Sequence, residues 1–169
     1  MSSNRVIYTP IGIIHSEHRF REKTPIQPKY AQECVGQAEI FPEFVDGLRD
    51  IEAFSHIYLL FHIHQADPAQ LIVKPFLQDE AHGVFATRAP CRPNPIGISI
   101  VELIRREGNI LHLKGLDILD GTPLLDIKPY TRRFDCVTTT RNGWQDAIDE
   151  ETAARLGKRA YNDSRGNKP

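Results

Sequence analysis

The chain is poor in several things that would otherwise place it quickly. It has 3 cysteines in 169 residues, Cys34, Cys91 and Cys136, and no two stand in a C-x-x-C spacing. A disulfide framework needs more of them, so these few point to a reducing compartment. There is no surplus of positive charge: 21 Lys and Arg face 22 Asp and Glu, for a formal net charge of -1. Any nucleic-acid contact must then come from a local patch rather than from the field of the whole molecule. No apolar run approaches the ~18 residues of a membrane helix. The first residues, interrupted by Pro10 and Gly12, lack the apolar core of a secretion signal. The expectation is a cytoplasmic protein with no membrane partner. No G-x-G-x-x-G, G-x-x-x-x-G-K-[ST] or G-x-S-x-G occurs. A Rossmann dinucleotide site, a P-loop and a nucleophile elbow are therefore unsupported.

Strand signals are what the chain does have. Val6 to His15, Ser55 to His64, Ile96 to Ile104, the alternating Leu111 and Leu113, and Leu124 to Ile127 read as strands. Gly36 to Phe41, Leu71 to Phe76 and Val84 to Thr87 are weaker candidates. Turn chemistry separates them: Glu107-Gly108-Asn109, Asp120-Gly121-Thr122-Pro123 and Arg92-Pro93-Asn94-Pro95. Many short strands at close spacing predict a mainly β barrel or sandwich, not a doubly wound sheet. Towards the end, Asn142 or Gly143 can open one helix that carries Trp144, Ile148 and Leu156 and stops at Gly157. The expected organisation is a barrel over residues 1–140, a helix over 141–157 and a polar, mobile tail over 158–169.

Three constellations can carry chemistry. In Thr87-Arg88-Ala89-Pro90-Cys91-Arg92-Pro93-Asn94-Pro95-Ile96-Gly97, three prolines fix φ and remove backbone donors. A stiff loop holds Arg88, Arg92 and Asn94 in set directions, and two guanidinium groups suit a carboxylate or a phosphate. A plain surface loop with arginines paired to nearby acids also fits. In Leu119-Asp120-Gly121-Thr122-Pro123-Leu124-Leu125-Asp126-Ile127-Lys128-Pro129-Tyr130, a tight turn leads into a strand. Period two puts Asp126, Lys128 and Tyr130 on one face of that strand, as a site group or as the solvent side of an edge. In the Ser55 to His64 run, His56, Tyr58, Leu60, His62 and His64 share a face. No cysteine or acid cluster completes a tetrahedral set, so a polar barrel wall is favoured over a metal, and none is expected.

Together these segments resemble the TsaA/TrmO family. The matching stretches are Ile11 to Ser16, Gly47 to His56, Gly83 to Arg88, Arg92-Pro93-Asn94-Pro95-Ile96-Gly97, and Leu119 through Tyr130, in the family's order. The chain departs from the family at Ala89, where a serine is usual. The resemblance implies a single-sheeted β-barrel that pairs as a homodimer and binds S-adenosylmethionine near the dimer interface. It implies methylation of N6 of threonylcarbamoyladenosine beside the tRNA anticodon, with tRNA as partner. It further implies that Gln27, Pro28, His64, Gln65, Arg88, Ile98, Asp120, Gly121, Thr122 and Pro123 line the cofactor pocket. On the acceptor side stand Arg92, Asn94, Asp126, Lys128 and Tyr130, with Asp126 as base or Lys128 as stabiliser of the nitrogen anion. Arg105, Arg106, Arg132 and Arg133 are candidates for phosphate contact. The other functions to weigh are a non-enzymatic RNA-binding barrel, a methyltransferase for another RNA or a small molecule, and a metal-dependent hydrolase built on His56, His62 and His64. Aromatics at 8% weaken the first, because single-strand binders lean on exposed rings.

Overall fold

The computed structural model describes residues 6–159. Eight strands follow one another: β1 (Gly12–Ser16), β2 (Val35–Ile40), β3 (His56–His62), β4 (Ile72–Val73), β5 (His82–Gly83), β6 (Ile96–Glu107), β7 (Ile110–Lys114) and β8 (Thr122–Pro129). Six of them close into a barrel in the order β1-β2-β7-β6-β3-β8, and β4 and β5 pair separately. Every neighbouring pair in the barrel is antiparallel. Closure removes free sheet edges and leaves two rims.

Alternation fills the barrel. Ile57 and Leu59 of β3, Val101 and Leu103 of β6, Leu111 and Leu113 of β7, and Leu124 of β8 point inward, with Ile14, Ala38 and Ile40 from β1 and β2. Leu48, Leu116 and Ile118 plug the interior from the loops. Burying each such Leu or Ile is worth about 1.5–3 kcal/mol. Gly97 is required where β6 crosses Phe61: a Cβ there would come within 2.2 Å of the Phe61 ring.

Several boundaries differ from the sequence reading. Val6 to Pro10 stays outside the sheet, and β1 begins at Gly12. Leu71 to Phe76 contracts to the two residues of β4. Val84 to Ala86 forms a 3-10 turn instead of a strand, closed by the Thr87 hydroxyl on the Val84 carbonyl at 2.9 Å. After β8, α1 (Arg132–Asp135) makes a single turn. The expected helix from Asn142 divides into a 3-10 segment, Gly143–Ala147, and α2 (Glu150–Lys158). The division falls at Asp149, whose extended backbone and side-chain bond to the Thr152 amide, 2.7 Å, make it the cap of a new helix. Gly157 lies inside α2, and the chain leaves the helix at Arg159 with φ of 52°. The mobile tail expected from residue 158 lies, from 160 onward, outside the described residues.

Candidate functional site

One rim gathers most of the expected residues. There β1 ends at Ser16, β3 ends at His62, β6 begins at Ile96 and β8 begins at Thr122. Strand β7 stops at Lys114, opposite Glu102, so the first half of β6 runs on beyond it. The loop 115–121 fills the gap beside that half-strand, and three bonds from the end of β1 hold it. The Ser16 hydroxyl donates to the Ile118 carbonyl at 2.6 Å, the Ser16 amide to Asp120 at 2.9 Å, and the Gly121 amide to the Ile14 carbonyl at 2.9 Å. Gly121 turns the chain with φ of 74° and has open space where a Cβ would stand. Only a glycine takes that conformation readily, and it leaves backbone open to a ligand.

The hydrogen bonds at this rim also fix a tautomer. The Thr122 hydroxyl gives its one proton to the Leu119 carbonyl at 2.6 Å. It can then only accept from His64 Nδ1 at 3.2 Å, so Nδ1 carries the proton. Nε2 keeps its lone pair and faces the Gln65 amide at 3.4 Å. Burial first, and the charge of His62 second, lower the His64 pKa, which keeps the ring neutral near pH 7.

The proline-stiffened loop reaches the same rim. The Ile63 amide donates to the Pro95 carbonyl at 2.7 Å, and the Ile96 amide to that of Asn94 at 2.7 Å. Arg88 is exposed and donates to the Gln27 amide oxygen. Gln27 precedes a short 3-10 helix, Pro28–Tyr30. Arg21 links this segment to the next by donating to the Gln65 carbonyl at 3.0 Å. The structure thus brings Gln27, Pro28, His64, Gln65, Arg88 and the 120–123 turn to one rim. Arg92 differs from its neighbour Arg88: it turns back on its own loop, to the Thr87 and Ala89 carbonyls at 3.2 and 3.4 Å.

Asp126, Lys128 and Tyr130 lie apart from the rim, along the outer wall. Asp126 pairs in register with Leu60, which pairs with Ile98. Asp126 and Ile98 are therefore two strand spacings apart, about 10 Å. The next row joins Lys128, Tyr58 and Ile100. Lys128 and Asp126 form an ion pair at 2.8 Å. Tyr130 packs on Tyr58 at 5.7 Å between ring centres, with the His56 ring edge-on at 6.4 Å. Desolvation, and then the negative charge of Asp135, raise the Tyr58 pKa and keep its phenol protonated. Of the four arginines expected near phosphate, Arg105 and Arg106 are engaged at the β6–β7 hairpin, with Glu107 at 2.8 Å and with the Leu48 and Gly108 carbonyls. Arg132 and Arg133 are exposed on α1, just past Tyr130. Among the described residues, no group of three or more His, Cys, Asp or Glu is placed to hold a metal ion. No described helix is long and apolar enough to cross a membrane.

Sequence reasoning missed Asp117. It sits in the 115–121 loop and accepts from the buried Ser99 hydroxyl at 2.6 Å. Burial pushes its carboxyl up to about 7, with Ser99 and the charge of Arg88 pulling the other way. Its neighbours Leu116 and Ile118 read as core, and the adjacent Asp-Gly turn drew attention to Asp120 instead.

The class is thus a closed antiparallel barrel with an arginine-bearing proline loop and an Asp-Gly-Thr-Pro turn on one rim, not a doubly wound parallel sheet. The model of the tRNA-methyltransferase O N-terminal domain matches residues 13–136, and the chain belongs to that family. A probable S-adenosyl-L-methionine-binding protein of Pyrococcus abyssi is 56% identical over 139 residues, 82% of this chain and 76% of that protein. The human tRNA (adenine(37)-N6)-methyltransferase is 34% identical over 142 residues, 80% of this chain but 32% of the human one. The crystal structure of TrmO from Pseudomonas aeruginosa superposes with a TM-score of 0.72 at 41% identity, over 87% of this chain and 64% of that one.

Proposed function

We propose that this chain is an S-adenosylmethionine-dependent methyltransferase acting at N6 of a tRNA adenine, threonylcarbamoyladenosine beside the anticodon. The carrying observation is the rim where Arg88 holds Gln27, Arg21 of the same segment bonds the Gln65 carbonyl, and His64 pairs with Thr122. When bound, the cofactor supplies a methyl group on a sulfonium, open to in-line displacement. Arg88 takes the methionine carboxylate, and the open backbone at Gly121 lets adenine or ribose approach. Neutral His64 lines the pocket without repelling a cationic sulfur. Asp120 supports the turn through Ser16 and Arg19, while Gln65, Thr122, Pro123 and Ile98 shape the wall.

On the acceptor side, Asp126 removes the N6 proton or Lys128 stabilises the resulting anion. Tyr130 and Asn94 orient the base, and Arg92 stiffens the loop. Arg132 and Arg133 contact phosphate. The protein works as a homodimer in the cytoplasm. The dimer reading rests on the row Ile96, Ile98, Ile100 and Ile104, all exposed on the outer face of β6, with Ile98 at 47%. Pairing across that face brings the outer-wall set of one protomer towards the rim of its partner, which closes the distance between the two groups of residues. Residues 1–140 act as the catalytic barrel and 141–157 as its C-terminal appendage.

The test is nucleoside mass spectrometry of tRNA carrying threonylcarbamoyladenosine, after incubation with the purified chain and S-adenosylmethionine. Gain of one methyl on that nucleoside supports the proposal. Cofactor binding without gain on any tRNA nucleoside refutes the tRNA assignment.

A further inference from the structure

We infer that Asp117 is the anionic half of an amino-acid subsite, receiving the α-ammonium of the methionine moiety while Arg88 receives its carboxylate. The inference rests on the reading of Arg88 given above and extends it to a residue outside that set. An α-amino acid is a zwitterion, and a site for it needs a cation and an anion close together. The two charges must also be free of stronger partners. Asp117 and Arg88 both stand at the rim, and among the described residues neither is in an ion pair.

Asp117 belongs to the loop that the end of β1 ties down through Ser16, so its position is fixed before any ligand arrives. Ser99 orients the carboxylate from one side at 2.6 Å. Among the described residues, no other side chain donates to it, although Arg88 is near enough for its charge to act on it. Arg88 is held by the neutral Gln27 amide and not by an acid. The contrast with Asp120 is direct. The Asp120 carboxylate is already taken by the Ser16 amide and the Arg19 guanidinium, which leaves it little to offer a ligand. Among the described residues Asp117 makes no direct ion pair, and burial holds its pKa up at about 7, so an incoming ammonium would supply the partner it lacks.

The experiment is calorimetric titration of the full chain with S-adenosylhomocysteine, with its analogue lacking the α-amino group, and with its decarboxylated analogue. Asp117→Asn keeps the shape and can still accept from Ser99. It is expected to weaken S-adenosylhomocysteine by about ten- to hundredfold while leaving the deaminated analogue nearly unchanged. Ser99→Ala, which retains the carboxylate but frees its orientation, is expected to show the same selectivity with a smaller loss. Equal losses for both ligands, or no loss for either, overturn the inference. Arg88→Ala against the decarboxylated analogue tests the carboxylate reading separately. Equal losses of decarboxylated and complete ligand in that variant refute the Arg88 assignment whatever Asp117 does.

Discussion

Replacing Gly157 by alanine should loosen the grip of α2 on the segment that carries Gln27 and Pro28. A Cβ at Gly157 would stand 2.3, 2.4 and 2.7 Å from three atoms of the Tyr30 ring. Ordinary carbon contacts begin near 3.5 Å, so ring and helix must part by about 1 Å. The ring has little freedom to yield. Tyr30 ends the 3-10 helix that Pro28 begins, the Ile26 amide donates to the Gly157 carbonyl at 3.0 Å, and Lys29 pairs with Glu150 at 2.8 Å. Two opposed terms decide the outcome. Alanine favours a helix over glycine by about 1 kcal/mol, whereas overpacking costs about 1–3 kcal/mol. The net strain, at most about 2 kcal/mol, falls on the Gln27 segment, and affinity for S-adenosylhomocysteine should drop by up to about thirtyfold. Calorimetry with the Gly157→Ala protein reads the loss, and adding Tyr30→Leu, which vacates the space, should restore most of it. If Gly157→Ala bound the ligand as the parent does and melted at higher temperature, helix propensity alone would govern the site and α2 would not position the cofactor segment.

Further consequences concern charge and pairing. Asp117 ionises near 4 when unfolded but at about 7 when folded, so the unfolded chain releases its proton first. Stability should therefore fall as pH rises across that window, by at most about 4 kcal/mol and less where water screens the carboxylate. Denaturant midpoints taken at both ends of the window should show a fall in the parent protein relative to Asp117→Asn, in which this contribution is absent. Protonation of His64 would set a cation beside the sulfonium, so affinity for S-adenosylmethionine should fall once pH drops below the ordinary imidazole range, and His64→Gln should remove that limb. Ile98→Asp together with Ile100→Asp places charge on the outer face of β6 and should yield a monomer in sedimentation; a dimer that survives both changes would move the interface elsewhere.

The barrel was legible wherever one side of a strand is dry and the other wet. Ile57 and Leu59 against Tyr58 and Leu60, and Leu111 and Leu113 against His112, carry a period of two that no helix tolerates. Where that contrast fades, the reading slipped. Val84 to Ala86 has strand composition, but a threonine hydroxyl three residues on captures a carbonyl and curls the segment instead. Gly157 looked like a helix stop because glycine often is one. Its use here is set by a ring more than a hundred residues away in sequence, and no local pattern reports that.

The rim obeys the same division. Arg88, Gln27 and the Asp-Gly turn were visible as unusual residues in unusual company. Which carboxylate stays available depends on where β1 ends. Ser16 spends its amide on Asp120 and its hydroxyl on the Ile118 carbonyl, so the tight turn becomes a structural staple and leaves the carboxylate three residues earlier with the Ser99 hydroxyl. Read from sequence, Asp120 beside a glycine is the conspicuous acid, and Asp117 between two leucine-like neighbours is not. The fold reverses their parts, because the strand that stops short at Lys114 leaves the first half of β6 unpaired on that side, where the loop, and Asp117 with it, settles against Ser99.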